Sequence, residues 1–253
     1  MTEVIYRVNH TLHRRALHVL RVTDLTPRMR RVTLGGAALE GFVSLGSDDH
    51  VKLLFANDAA QQAALDAGEL SAEPSARPTM REYTPRRFDP QALELDIDFV
   101  LHGDGPASTW AAQAAPGQTL HIAGPRASLV VTDAFDSYLL IGDETAIPAI
   151  ARRLEELPAG RRALVLVQVE DAQERQPLAS PADVEVIWVL RHEQDLVECV
   201  RALPLPAGSL YSWVALEKRL SREVKGVLLD KGVDEQALKA VAYWRADDTP
   251  EED

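Results

Sequence analysis

The sequence is poor in cysteine. Cys199 is the only one in 253 residues, so no internal disulfide can form, which fits a reducing compartment such as the cytoplasm. Long apolar runs are missing too. A stretch such as ALVLV, residues 163–167, falls far short of the ~20 residues that a membrane-spanning helix needs. The opening MTEVIYRVNHTLHRR has no apolar centre of the kind a secretory signal carries. We therefore expect no membrane insertion and a cytoplasmic protein. Positive charge is in short supply: 27 Lys and Arg stand against 39 Asp and Glu, a net charge of -12, which argues against a nucleic-acid partner. An anionic small molecule would need a local basic patch to receive it. There is no G-x-G-x-x-G loop. His10, His13 and His18 lack metal-ligand spacing and read as surface or strand histidines.

What is present changes texture near residue 133. Before it, LHVLRV, RMRRVTL, DHVKLLF, LELDIDFVL and QTLHIAGP read as short strands separated by turn signals, with an Ala-rich helical or loop-like piece at residues 57–70. In LELDIDFVL, Leu93, Leu95, Ile97, Phe99 and Leu101 share one face. Glu94, Asp96, Asp98, Val100 and His102 share the other, as in a half-buried antiparallel strand. Such a series predicts a small antiparallel barrel or sandwich over residues 1–133. From residue 138, YLLIG, RALVLVQV, VEVIWVL and SLYSWVAL alternate with helical stretches, which predicts an α/β domain with a parallel sheet to residue 253. The first of these helices, in DETAIPAIARRLEEL, carries an apolar stripe of Ile147, Ile150, Ala151 and Leu154. The closing DDTPEED reads as a solvated tail. Trp110, Trp188 and Trp213 read as core or domain-interface residues, and Cys199 as an inert residue of an amphipathic helix.

Three stretches carry chemistry. In YLLIGDETAIPAI an apolar strand ends at Gly142 and a helix starts with Pro148 in its first turn. A helix N-terminus beyond a parallel strand is a nucleotide-binding position, although Asp143 and Glu144 serve equally well as plain caps. In GDGPASTWA, Gly105 permits close backbone approach and Ser108 can cap the helix or donate to an anion. In REYTPRR, alternation puts Arg81 and Tyr83 on one face and Glu82 and Thr84 on the other. Tyrosine can lie flat on a ring system, and arginine can pair with phosphate. Arg152 and Arg153 read as a solvated helical face or as partners of a 2′-phosphate.

Taken in order, Arg81-x-Tyr83-Thr84, DFVLHGDGPASTWA, GPRAS, IGDETAIPAI and YWRADD resemble the siderophore-interacting protein family, flavin-dependent ferric-siderophore reductases related to ferredoxin–NADP reductases. LTPRMRRVTLGG and DDHVKLLF fit as well, so the resemblance covers nearly the whole chain. It implies an FAD-binding β-barrel followed by an NAD(P)H-binding α/β domain, with NADPH or NADH as electron donor and a ferric siderophore as substrate. It further implies flavin contacts from Arg81, Tyr83, Thr84, Asp98, Val100 and His102, and a pyrophosphate turn at Gly105, Pro106, Ala107 and Ser108. The nicotinamide nucleotide would lie at Asp143, Glu144, Thr145 and Ala146. Trp244 would cover an adenine or flavin edge, and Lys52, Arg126 and Arg245 would meet the siderophore. Two departures stand out. Leu216 occupies the glycine of the family's usual Ala-Gly-Glu, and Ala242 that of its Gly-Tyr-Trp; crowding at the nicotinamide is the expected consequence. A flavin reductase serving another acceptor or a ferredoxin-type donor, and a siderophore-binding flavoprotein without turnover, remain open as alternatives.

Overall fold

The structure is a computed structural model that describes residues 4–103 and 105–246; the acidic tail read at residues 247–253 lies outside them. The chain divides into two compact units between Val131 and Thr132.

The first unit contains β1 (Ile5–Asn9), β2 (Arg14–Thr26), β3 (Met29–Gly35), β4 (Val51–Phe55), α1 (Ala59–Asp66), β5 (Thr79–Tyr83), β6 (Pro85–Asp89), β7 (Glu94–Val100), α2 (Pro106–Gln113), β8 (Thr119–Ala123) and β9 (Ala127–Val131). Seven strands form one antiparallel sheet in the order β5-β4-β8-β2-β3-β7-β6. Its two edge strands, β5 and β6, are consecutive in sequence with only Thr84 between them. One residue reaches at most about 3.6 Å, so the sheet has to curl until its edges meet, and the chain itself closes the barrel. Leu17, Val32, Leu34, Leu53, Ile97 and Ile122 fill the interior, none of them exposed. β1 and β9 make a separate ribbon whose register runs from Ile5↔Val131 to Asn9↔Ala127.

β7 departs from the half-buried expectation. Leu95, Ile97 and Phe99 face the core as the alternation requires, yet Asp96 and Asp98 on the other face are only 3% and 5% exposed. The cause lies on neighbouring strands. Arg31 grips Asp98 through two bonds of 2.7 and 2.8 Å. Arg87 reaches Asp96 at 2.7 Å and Glu94 at 3.1 Å, Arg21 clamps Glu94 at 2.9 and 2.6 Å, and the Thr33 hydroxyl donates to Asp96 at 2.7 Å. Buried carboxylates persist only when paired, and a guanidinium fork matches them two bonds at a time.

The second unit contains β10 (Ser137–Asp143), α3 (Ile147–Glu156), β11 (Arg162–Val169), β12 (Asp183–Leu190), α4 (Leu196–Ala202), β13 (Leu210–Glu217), α5 (Lys218–Asp230) and β14 (Leu238–Trp244). The sheet is parallel throughout, in the order β12-β11-β10-β13-β14. Every residue of the central β10 is buried, which explains its unbroken apolar run. Full burial of side chains such as Leu139 and Ile141 stabilises the unit by roughly 1.5–3 kcal/mol each. Ile147, Ile150, Ala151 and Leu154 of α3 are buried as the stripe predicts. β14 was not foreseen; its short, mixed sequence LKAVAYW pairs with β13 alone. The order reverses direction between β10 and β13, which places a switch point, where such sheets bind ligands, at their carboxyl ends.

Candidate functional site

In the barrel unit, Tyr83 ends β5 and lays its ring on Phe99 at 4.6 Å between centroids. Burial pushes its hydroxyl pKa up to about 12, so the phenol stays neutral. Arg81 lies exposed one turn of the strand away, its Nη1 donating to the Met80 carbonyl at 2.8 Å. Thr84 is the buried joint between the two barrel edges.

Val100 closes β7. Beyond it the His102 backbone N–H donates to the Ser108 hydroxyl at 2.9 Å, which fastens the loop to α2. Gly105 occupies the N-cap of that eight-residue helix and no side chain caps it; Pro106 follows at the first position. The first-turn N–H groups of Ala107 and Ser108 therefore lie at a helix end without a side chain over it. This is a geometry that fits a pyrophosphate, and with the Tyr83 ring in the same unit the residues fit a flavin nucleotide. Asp98 is placed differently from the flavin contacts expected of it: both of its oxygens are bonded to Arg31.

Lys52 is exposed on β4, 3.7 Å from Glu82 directly opposite on β5. His50 Nε2 approaches the same carboxylate at 3.8 Å. Arg126 is exposed and follows Gly124, which packs beside His50 and Val51 at the start of β4. Lys52 and Arg126 therefore lie at one end of the barrel. Arg245 is exposed just past β14 in the second unit.

At the carboxyl end of β10, Gly142 has a packing role. A Cβ there would collide with the Ala146 side chain, so glycine lets the following turn sit directly on the strand. Asp143 is 1% exposed and heads the 3-10 turn Glu144–Ala146. Its Oδ1 accepts from the Thr145 backbone N–H at 2.9 Å and hydroxyl at 2.5 Å; its Oδ2 accepts from the Trp244 indole N–H at 2.7 Å. Three expected site residues are thus brought together, and Trp244 is anchored across two strands. Burial raises the Asp143 pKa above the usual carboxylate range against these bonds. Glu144, 8% exposed, is raised by burial as well, although Arg191 bonds it at 2.6 Å.

Glu217 was not read as a candidate from the sequence. It ends β13 and caps α5, its Oε2 accepting from the N–H groups of Arg219 and Leu220 at 2.7 and 3.1 Å. Its buried Oε1 has no hydrogen-bond partner among the described residues. An acidic residue directly between an apolar strand and a helix was the available signal. Leu216 and Ala242 prove to be direct neighbours across β13 and β14. The Leu216 side chain is fully buried in one cluster with Val214, Val224 and Leu228, one residue before the carboxyl end of β13. Arg153 stacks over the Tyr138 ring at 4.7 Å and Arg152 pairs with Glu156 at 3.5 Å, so neither forms the bare solvated face considered for them.

An antiparallel barrel followed by a parallel sheet with a switch point between β10 and β13 is the ferredoxin reductase-like fold. Residues 18–129 match the siderophore-interacting FAD-binding domain and residues 135–247 the siderophore-interacting protein domain; the chain belongs to the siderophore-interacting protein family. It is 36% identical over 246 residues to the NADPH-dependent ferric-chelate reductase of Escherichia coli, an alignment covering 95% of this chain and 96% of that one. It is 30% identical over 241 residues to the ferric vibriobactin reductase ViuB of Vibrio cholerae, covering 91% and 89%. Among solved structures, a siderophore utilization protein from T. fusca matches with a TM-score of 0.86 at 34% identity, over 98% of each chain.

Proposed function

We propose that the chain is an FAD-dependent reductase of ferric siderophores that draws electrons from NADH or NADPH. The observation that carries this reading is the family match over both units, which joins a barrel of flavin-binding type to a dinucleotide-type switch point in one chain. Bound flavin supplies the exchange between a two-electron hydride donor and a one-electron ferric acceptor. The chain's own residues bind and orient. Tyr83 offers a flat, neutral face for the ring, and Thr84, Val100 and His102 complete the flavin contacts in this reading. Arg81 offers a guanidinium to the phosphate region, and Gly105, Pro106, Ala107 and Ser108 receive the pyrophosphate. Asp98 is left out of this set because Arg31 holds it.

Asp143, Thr145, Ala146 and Trp244 form the nicotinamide-nucleotide end. Lys52, Arg126 and Arg245 draw an anionic ferric siderophore toward a protein whose net charge would otherwise repel it. Among the described residues no helix is long and apolar enough to cross a membrane. A nicotinamide donor and a single cysteine support a cytoplasmic place of work.

The test is rapid mixing. The oxidised flavoprotein is reduced anaerobically with NADH or NADPH, then mixed with a panel of ferric siderophores. Bleaching of the flavin followed by siderophore-dependent re-oxidation is expected. Bleaching without re-oxidation would point to another acceptor, and no bleaching to a carrier or a ferredoxin-type donor. In the second half, a triple Lys52, Arg126 and Arg245 to Ala variant should raise the apparent KM for anionic siderophores and leave bleaching nearly unchanged.

A further inference from the structure

We propose that the nucleotide site selects NADH over NADPH, and that Glu170, Asp171 and Glu193 make the selection by rejecting a 2′-phosphate. The inference rests on the nicotinamide-donor reading above. In doubly wound sheets the adenosine ribose is met at the carboxyl end of the strand next to the one that leads into the phosphate turn. An acidic side chain there takes the 2′-hydroxyl, whereas an arginine takes a 2′-phosphate. In this chain the turn follows β10, the neighbouring strand is β11, and Glu170 is the residue immediately after it. A cavity of about 410 Å³ opens at the ends of β11 and β12, lined by Glu170, Asp171, His192 and Glu193, with Leu190 as an apolar wall.

The cation nearest to hand is already bound. Arg191 bonds Glu144 at 2.6 Å and Gln168 at 3.2 Å, and its Nε lies 3.3 Å from Glu170. His192 Nε2 stands 3.0 Å from the other oxygen of Glu170. Two carboxylates, those of Glu144 and Glu170, thus hold the one guanidinium, and Asp171 and Glu193 line the cavity. Residues 247–253 contain no Lys or Arg and cannot add a cation.

The wider field has the same sign. Residues 1–131 hold 13 Lys and Arg against 15 Asp and Glu, which leaves 14 against 24 in residues 132–253; of the net -12, the second unit carries -10. A 2′-phosphate adds about 1.5–2 negative charges to the nucleotide. Specificity is commonly built by placing like charge against the wrong ligand. Glu170 acts twice here: it repels a phosphate and it occupies Arg191, while its carboxylate can accept from a ribose hydroxyl.

The test measures binding to the full-length flavoprotein with two fragments, 5′-ADP and 2′,5′-ADP, by calorimetry at low and high salt. The wild type should bind 5′-ADP more tightly by at least roughly tenfold, a difference of about 1.4 kcal/mol, and the gap should narrow as salt screens the carboxylates. The triple variant Glu170→Gln, Asp171→Asn, Glu193→Gln preserves shape and the Asp171 cap on the Gln173 N–H. It should shrink the gap by about tenfold at unchanged flavin content. Equal or reversed affinities in the wild type, or an unaltered ratio in the triple variant, would overturn the assignment. Flavin reduction by neither NADH nor NADPH would overturn the donor reading itself, and this proposal with it; a preference for NADPH in reduction would overturn the proposal alone.

Discussion

The two units treat their carboxylates in opposite ways. In the barrel, Glu94, Asp96 and Asp98 project from one strand face into Arg21, Arg31 and Arg87, and the pairing with Arg21 foremost holds the Glu94 carboxyl down at about 2. In the α/β unit, Asp143 and Glu144 lie at a strand end where burial outweighs their partners and drives their pKa values up. Paired charge of the first kind fixes register and closes a surface. Under-compensated charge of the second kind costs stability, and it sits at the switch point, the place where sheets of this kind take ligands. Perturbation by burial is the more informative mark of a functional site.

Asp98→Ala should have the largest effect of any change that breaks this contrast. It leaves the Arg31 guanidinium without its carboxylate and should cost about 3 kcal/mol in denaturant unfolding. Flavin content per folded molecule should stay the same, since Asp98 serves the barrel. Trp244→Phe comes next. It removes the indole donor from the buried Asp143 and should cost about 1–3 kcal/mol in the second unit's unfolding transition. Glu217→Ala deletes the cap of α5 and should cost about 1 kcal/mol, with Glu217→Asp recovering part of it.

The smallest effect is one of sign, read by hydrogen exchange against pH. Glu94 is depressed from 4.5, so its contribution is present above that value and fades as pH falls toward 2. Asp143 and Glu144 are raised from 3.8 and 4.5, so their contribution is present below those values and is lost as pH rises through their folded-state values. Acidification should therefore loosen amides of β7 while it tightens those at the carboxyl end of β10. Parallel changes in both would erase the distinction.

Much of this was legible because it is local. The alternation of β7, the stripe of α3 and the turn after Gly142 are written in consecutive residues. What the alternation of β7 could not show is who sits opposite: Arg31 lies 67 positions from Asp98, and only the register of β3 against β7 brings them together. The same holds for Trp244 and Asp143, 101 positions apart. Each was named as a site residue, while the bond between them depends on the sheet order. Glu217 hid because capping oxygens are usually sought on Ser, Thr, Asp or Asn. Thr84 looked like the tail of one strand. Its position as the joint between two barrel edges follows only from strand order.

The β1–β9 ribbon also sets a schedule. Residues 5–9 are synthesised before the rest of the barrel unit, yet their partners are residues 127–131. At roughly 5–20 residues per second, the first strand waits on the order of ten seconds for a mate. During that time Ile5 and Val8 have no strand to lie against, and a nascent chain halted before residue 127 cannot complete the ribbon. The β1–β9 ribbon therefore cannot form until every strand of the barrel between them has been synthesised, just as synthesis passes into the second unit.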